Sequence, residues 1–235
     1  MKNNTIQFGV VADTHLGSKY TAVDMISKAY KYMEDLGIKL VIHAGDLTDG
    51  TPKMHRGFIN ELVVFNYEQN IDYVLNNYPK TIPTYFISGN HDYTWWKDSG
   101  IDIVKDLCSR VEEWNYLGMS NGFLNIEDFK IQVVHPKGGG GSVYKSNKLQ
   151  KRMHNMRASQ VDVDLLIQGH YHTSSFLNYH NMYGMNAGTF QKQTPYLFEK
   201  DLHPDLGFAI ITVKFIRGTY SIAYEWIPFE VLMEM

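Results

Sequence analysis

A chain of 235 residues with 44% hydrophobic and 20% charged residues is too apolar for a disordered chain and long enough to bury a core without staples. Its net charge of −3 excludes a protein that holds nucleic acid by overall charge alone, although cations bound at a site would change the balance there. The single cysteine, Cys108, excludes an intramolecular disulfide and points to a reducing compartment; in the apolar stretch 101–108 it reads as a small buried hydrophobe. The first residues carry neither the apolar run nor the cleavage signal of a secretory peptide, and no stretch approaches the roughly 20 apolar residues of a membrane span. A soluble, cytoplasmic protein with one domain over residues 1–235 is expected.

The first predicted strand is 6–12 (IQFGVVA), a short run rich in β-branched residues. Residues 21–36 place Ala22, Met25, Ile26, Ala29, Met33 and Leu36 at helical spacing, with Gly37 as the stop. Strand 39–43 (KLVIH) ends at Gly45-Asp46. Residues 54–78 read as one long helix or two, before Pro79 and Pro83. Strand 84–88 (TYFIS) closes on Gly89-Asn90-His91-Asp92. This alternation argues for βαβ units and a mainly parallel sheet.

The second half is patterned differently. Strands are predicted at 114–117, 123–126 and 130–135, a helix at 145–157, and a buried strand at 164–168 (DLLIQ). Strands 175–179, 182–187, 208–215 and 220–226 follow without helices between them, which predicts a second sheet packed on the first. Four glycines, 138–141, join a strand to a helix and read as a mobile loop beside a site.

Five strand ends carry metal-type residues. They are Asp13-Thr14-His15, Gly45-Asp46, Gly89-Asn90-His91-Asp92, His135, and Gly169-His170-Tyr171-His172. In open α/β sheets, ligands bind outside the carboxyl ends of strands, so five such clusters point to one site. Carboxylate, imidazole and amide oxygen together suit Mn, Fe, Zn, Co or Ni better than Ca or Mg. Asp-x-His and His-x-His put alternate side chains on one side of an extended segment.

The ordered set Asp-x-His, Gly-Asp, Gly-Asn-His-Asp, His, Gly-His-x-His resembles the calcineurin-like metallophosphoesterases from Asp13 to His172, with features of their DNA-repair exonuclease branch in Asp13-Thr14-His15-Leu16-Gly17 and Gly45-Asp46-Leu47. The resemblance implies an α/β fold in four layers (α/β/β/α), a two-sheet β-sandwich flanked by helices. It implies two divalent metal ions, Mn²⁺ first among the candidates. One is held by Asp13, His15, Asp46 and His172, the other by Asp46, Asn90, His135 and His170, with Asp46 shared. His91 matches the histidine that binds no metal, contacts substrate and protonates the leaving oxygen. The implied reaction is hydrolysis of a phosphate ester, a diester in preference to a monoester, by a hydroxide shared between cations roughly 3.5–4 Å apart. Asp49 and Asp92 are candidates for orienting His91 or a ligand.

Each residue also has a plainer reading. Asp13 could cap a turn, and a lone histidine before a proline, as at His135, is common loop material. His43 reads as a satisfied core histidine, and His55, His154, His180 and His203 as surface or structural. Trp95 and Trp96 wall the cleft or pack in the core. The basic stretch of Lys145, Lys148, Lys151, Arg152 and Arg157 reads as a solvated helix face ahead of a phosphate track. A nuclease is the nearest alternative, although the chain has no room for a DNA-capping domain. A non-catalytic scaffold or polymerase-subunit-like protein is the alternative from another class, and intact metal-type residues favour the enzyme.

Overall fold

The computed structural model describes residues 5–138 and 144–234. Sheet one has strand order β11-β10-β1-β2-β3-β4. Its strands are β1 (Thr5–Val11), β2 (Val41–His43), β3 (Thr84–Ser88), β4 (Trp114–Met119), β10 (Gly207–Ile216) and β11 (Thr219–Pro228). β1 to β4 are parallel, and the β10–β11 hairpin joins antiparallel to β1. Sheet two has order β5-β6-β7-β9-β8, from β5 (Asn121–Ile126), β6 (Phe129–Val134), β7 (Leu165–Gln168), β8 (Ser174–Tyr179) and β9 (Met182–Ala187).

Three buried clusters separate four layers. Val41, Phe86 and Ile210 of sheet one pack against α1 (Val23–Asp35), α2 (Tyr67–Asn77) and α4 (Ile103–Arg110) through Ile26, Met33, Ile71 and Leu107. Phe8, Val10, Ile42 and Ile87 meet Ile131, Val133, Ile167 and Met185 between the sheets. Leu149, Met153 and Met156 of α5 (Lys145–Ala158) cover Leu166 and Met182 on the outer face of sheet two. Central strands are therefore buried on both faces, which is why 6–12 and 84–88 read as continuous apolar runs. The result is the expected two-sheet sandwich flanked by helices.

Two expectations are corrected. Residues 54–78 are not one or two long helices. Turns and a short 3-10 turn, Ile59–Glu61, precede α2. Gly57 takes a φ of +91°, and the Asn66 side chain caps α2 by accepting from the Gln69 amide at 3.0 Å. The apolar residues that mimic a helical face there, Met54, Phe58 and Ile59, are exposed. The strand-rich tail does not form the second sheet by itself: β8 and β9 join β5, β6 and β7 in it, whereas β10 and β11 return to pair with β1 and cover its edge. Four helices were also unforeseen: α3 (Tyr93–Ser99), α4 in the apolar stretch around Cys108, α6 (Pro195–Glu199) and α7 (Phe229–Met233). Of the glycine run, Gly139, Gly140 and Gly141 lie outside the described residues. No described helix is long and apolar enough to cross a membrane.

Candidate metal centre

The carboxyl ends of β1, β2 and β3 in one sheet and of β6 and β7 in the other open onto the same place. Asp13, Asp46 and Asn90 stand two or three residues past β1, β2 and β3; His135 follows β6, and His170 and His172 follow β7. The structure brings all seven together. Asp13, His15 and His172 present ligand-type atoms within 4.8 Å of one another, as do Asp46, His135 and His170. Asp46 Oδ2 lies 3.0 Å from His135 Nε2 and 3.8 Å from His15 Nε2, so one carboxylate faces both groups. Asn90 Oδ1 is 3.1 Å from His135 Nε2.

Convergence does not come from strand alternation, as expected for extended segments. Asp13, His15, Asp46, His170 and His172 all have φ between 47° and 80°. This left-handed backbone is uncommon outside glycine and costs roughly 1–2 kcal/mol per residue. Backbone hydrogen bonds hold it: Asp13 N–H to the Gly45 carbonyl at 2.9 Å and His15 N–H to that of Asp46 at 3.0 Å. The Asp13 carboxylate in turn accepts from the His170 N–H at 2.9 Å, tying the two sheets together. Two glycines are needed for the approach. A Cβ on Gly89 would stand 2.0 Å from Asp46 Oδ1, and one on Gly169 would stand 2.3 Å from the Ala44 carbonyl.

Burial alone would discharge these groups, and mutual charge reverses that for several of them. Burial pushes the Asp13 carboxyl up, but His172 and His15 outweigh it and hold it well below the carboxylate range. Asp46 is likewise lowered by His135 and His91 against the effect of burial. Burial opposes protonation of His135, yet the Asp46 charge carries it up to about 9. His170 is pushed down to about 4 by burial and by its neighbour His135. Its Nε2, and the Nδ1 of His172, are buried without any hydrogen-bond partner. Clustered anions, lone-pair nitrogens facing each other (His15 Nε2 and His172 Nε2 at 3.1 Å) and orphaned imidazole nitrogens all fit divalent cations.

The surrounding residues hold this set in place. Asp49 Oδ1 lies 2.9 Å from His15 Nδ1, and its backbone carbonyl accepts from His91 Nδ1 at 2.9 Å. That leaves His91 Nε2 as the ring's remaining polar atom, on a partly exposed side chain that lines the cleft. Asp92 accepts from the amides of Leu47, Thr48 and Gly89, so it staples the β2 and β3 ends and does not touch His91. His43 is buried and stacked on Phe86, its Nδ1 accepting from the Gly45 amide, as a core histidine should. Trp95 is core and Trp96 is surface, and neither lines the cleft.

Above the residues lies a cavity of about 600 Å³. Several of its lining residues were missed or misjudged from sequence. His55 sits in the wall with its Nε2 2.7 Å from the Asp49 carbonyl, a structural contact within the expectation, but its place in the cleft was not foreseen. Lys145 is buried there and donates to the Tyr171 carbonyl at 2.6 Å. Gln191 bonds Asp49, while Phe58, Tyr196 and Leu197 supply apolar rim. None stands at a strand end with a spacing that sequence alone would single out.

Residues 6–213 match a family model described as a calcineurin-like phosphoesterase superfamily domain. No curated protein matches the chain. Among solved structures, an archaeal phosphodiesterase superposes with a TM-score of 0.50 at 16% identity, covering 94% of this chain and all of that one. A putative 5′-nucleotidase from Staphylococcus aureus gives a TM-score of 0.54 at 12% identity over 96% of this chain and 54% of its own. Vacuolar protein sorting 29 from Cryptosporidium parvum gives 0.49 at 15% identity, over 95% and 98% of the two chains. With a family model matched across most of its length, the chain belongs to the calcineurin-like phosphoesterase superfamily.

Proposed function

We propose that the protein is a phosphoesterase dependent on two divalent cations, with Mn²⁺ the first to try, and that it prefers diesters to monoesters. The observation that carries the reading is Asp46, one buried carboxylate facing His15 on one side and His135 on the other. Asp13, His15, Asp46 and His172 would hold one ion, and Asp46, Asn90, His135 and His170 the second. The chemistry such ions supply is Lewis acidity toward phosphoryl oxygens and activation of water near neutral pH.

The chain's own groups do the rest. Asp49 accepts from His15 Nδ1 and thereby leaves His15 Nε2 as a lone-pair donor toward the centre. Because a carbonyl can only accept, the Asp49 carbonyl fixes His91 Nδ1 as N–H. The proton available to a leaving alkoxide is then the one on Nε2, which suits His91 to the acid role. The cavity, with apolar rim on one side and Lys145 on another, leaves room for two ester groups about one phosphorus, which favours the diester.

The test is turnover. Protein stripped by chelation and reloaded with Mn²⁺ should cleave bis(4-nitrophenyl) phosphate faster than 4-nitrophenyl phosphate. No turnover of either ester with Mn²⁺, Fe²⁺, Zn²⁺, Co²⁺ or Ni²⁺ would overturn the enzymatic reading in favour of a scaffold. Faster monoester cleavage would overturn the diester preference.

A further inference from the structure

Helix α5 carries five basic and no acidic residues over 14 positions. Four of its cations differ from a solvated face in where they lead. Lys145 is buried in the wall of the metal-site cavity. Lys148, Lys151 and Arg152, with Asn155 and Ser159, line a second cavity of about 420 Å³. Tyr171 lines both cavities, so a single residue between His170 and His172 forms the divide. Lys145 donates to the Tyr171 carbonyl at 2.6 Å, which ties the start of the helix to the divide.

Positions 148, 151, 152, 155 and 159 recur at helical spacing, which strings them along one flank of α5 over roughly 16 Å. The adjoining flank packs Leu149, Met153 and Met156 against sheet two, with Met156 also at the edge of the second cavity, so the basic flank lies beside the buried one and faces outward. Among the described residues, no ion pair engages Lys148, Lys151 or Arg152, whereas Lys31, Lys53, Arg110 and Lys130 all have carboxylate partners. Unpaired cations in a groove, on a chain of net charge −3, repel one another unless an anion enters.

We propose that this groove is a distal phosphate subsite, and that the substrate is a single-stranded oligonucleotide whose scissile phosphate lies at the metal centre while its next phosphates cross Tyr171 onto α5. The occupant follows from three surfaces, two of which meet at Tyr171. The floor acts on a phosphate ester, the apolar rim at Phe58, Tyr196 and Leu197 accepts a planar ring, and the groove accepts further anionic charge. A chain that repeats phosphate ester and ring is an oligonucleotide. The inference rests on the phosphoesterase reading above for the end of the strand that is cleaved.

Binding can be read without turnover. In chelator, fluorescence anisotropy of a fluorescein-labelled oligothymidylate should report binding that weakens steeply between about 50 and 200 mM salt. K148E/K151E/R152E should weaken it by ~10-fold or more, and K148Q/K151Q/R152Q by less, with a salt slope shallower by roughly 2, since each contact on a single strand contributes ~0.7. Reversal of exposed cations at the opposite ends of the strands, K39E/K80E/K214E, controls for net charge. Thermal melting checks that each variant is folded. The subsite is overturned if the wild type does not bind at the lowest salt, or if the control weakens binding as much as the α5 variants. It is likewise overturned if tripolyphosphate binds the groove and the oligonucleotide does not. Hydrolysis of bis(4-nitrophenyl) phosphate by Mn²⁺-loaded wild type tests the phosphoesterase reading separately, because that ester has no second phosphate to reach α5.

Discussion

The floor and the rim of the cleft are made from opposite kinds of chain. Asp13, His15, Asp46, His135 and His172 are all buried, and four of them are held in left-handed backbone. Met54, Phe58 and Tyr196 in the rim are 42%, 36% and 52% exposed, on a turn-rich loop and a five-residue helix. Strain of several kcal/mol persists on the floor only because strands from two sheets and a web of backbone bonds over-determine it. The rim has no such support and contributes little to the fold. On the proposed reading, chemistry belongs to the rigid part, and choice of ester to the part that can vary at small cost.

The largest effect should come from breaking the floor at its shared residue. Asp46→Asn keeps the shape but removes the charge that faces both histidine groups. Turnover should fall by roughly 10³-fold or more, about 4 kcal/mol of barrier. Isothermal titration with Mn²⁺ should show loss of one or both sites. Two sites of wild-type affinity in that variant would remove Asp46 from the centre.

His91 divides floor from rim, since it is positioned by the floor but lines the cleft. His91→Ala should lower kcat by about 10²-fold while leaving Mn²⁺ stoichiometry unchanged. The loss should shrink as the leaving group becomes more acidic, because a good leaving group needs no proton. An equal loss for nitrophenyl and alkyl esters would end the acid role.

The same division explains what the sequence disclosed. Strand ends were legible because β-branched runs stop at Gly-Asp, Gly-Asn-His-Asp and Gly-His-x-His, and burial on both faces makes such runs continuous. The set of seven was legible by its resemblance, but the reason for its convergence was not, since positive φ at Asp13 and His172 depends on tertiary bonds. The rim was illegible. Met54, Phe58 and Ile59 have helical spacing and no helix, because Gly57 and the cap at Asn66 dictate turns. Lys145 looked like part of a solvated helix face because only the folded chain encloses it. The destination of β10 and β11 was hidden too, since a hairpin carries no mark of which sheet edge it will join.

His43 tests how far the floor depends on a core group beneath it. Its Nδ1 accepts from the Gly45 amide and its Nε2 lies 3.1 Å from Thr14 Oγ1, which itself donates to the Leu47 carbonyl. This network requires the neutral ring, and burial pushes its pKa down to about 3. Below about 6.5 the unfolded chain takes up the proton first, so the stability this group confers is complete above that value and is lost as pH falls toward 3. Between pH 7 and 5 the loss is about 2 kcal/mol. Denaturant unfolding of cation-free protein should therefore show a shallower pH dependence for His43→Gln, with contributions from other histidines common to both proteins. Parallel curves would mean that His43 does not stay neutral in the fold.

The smallest effect should lie at the rim, and its form matters more than its size. Phe58 packs no core, so Phe58→Ala should leave the melting temperature within error. A ring that meets an aromatic ester contributes about 1 kcal/mol, equally in the bound substrate and the transition state. KM for bis(4-nitrophenyl) phosphate should then rise roughly 5-fold with kcat unchanged, the mark of binding that does not discriminate the two states. An ester with a methyl group in place of one ring should show a smaller rise. A fall in kcat instead would mean that Phe58 positions the floor, and the separation of chemistry from selection would fail at that residue.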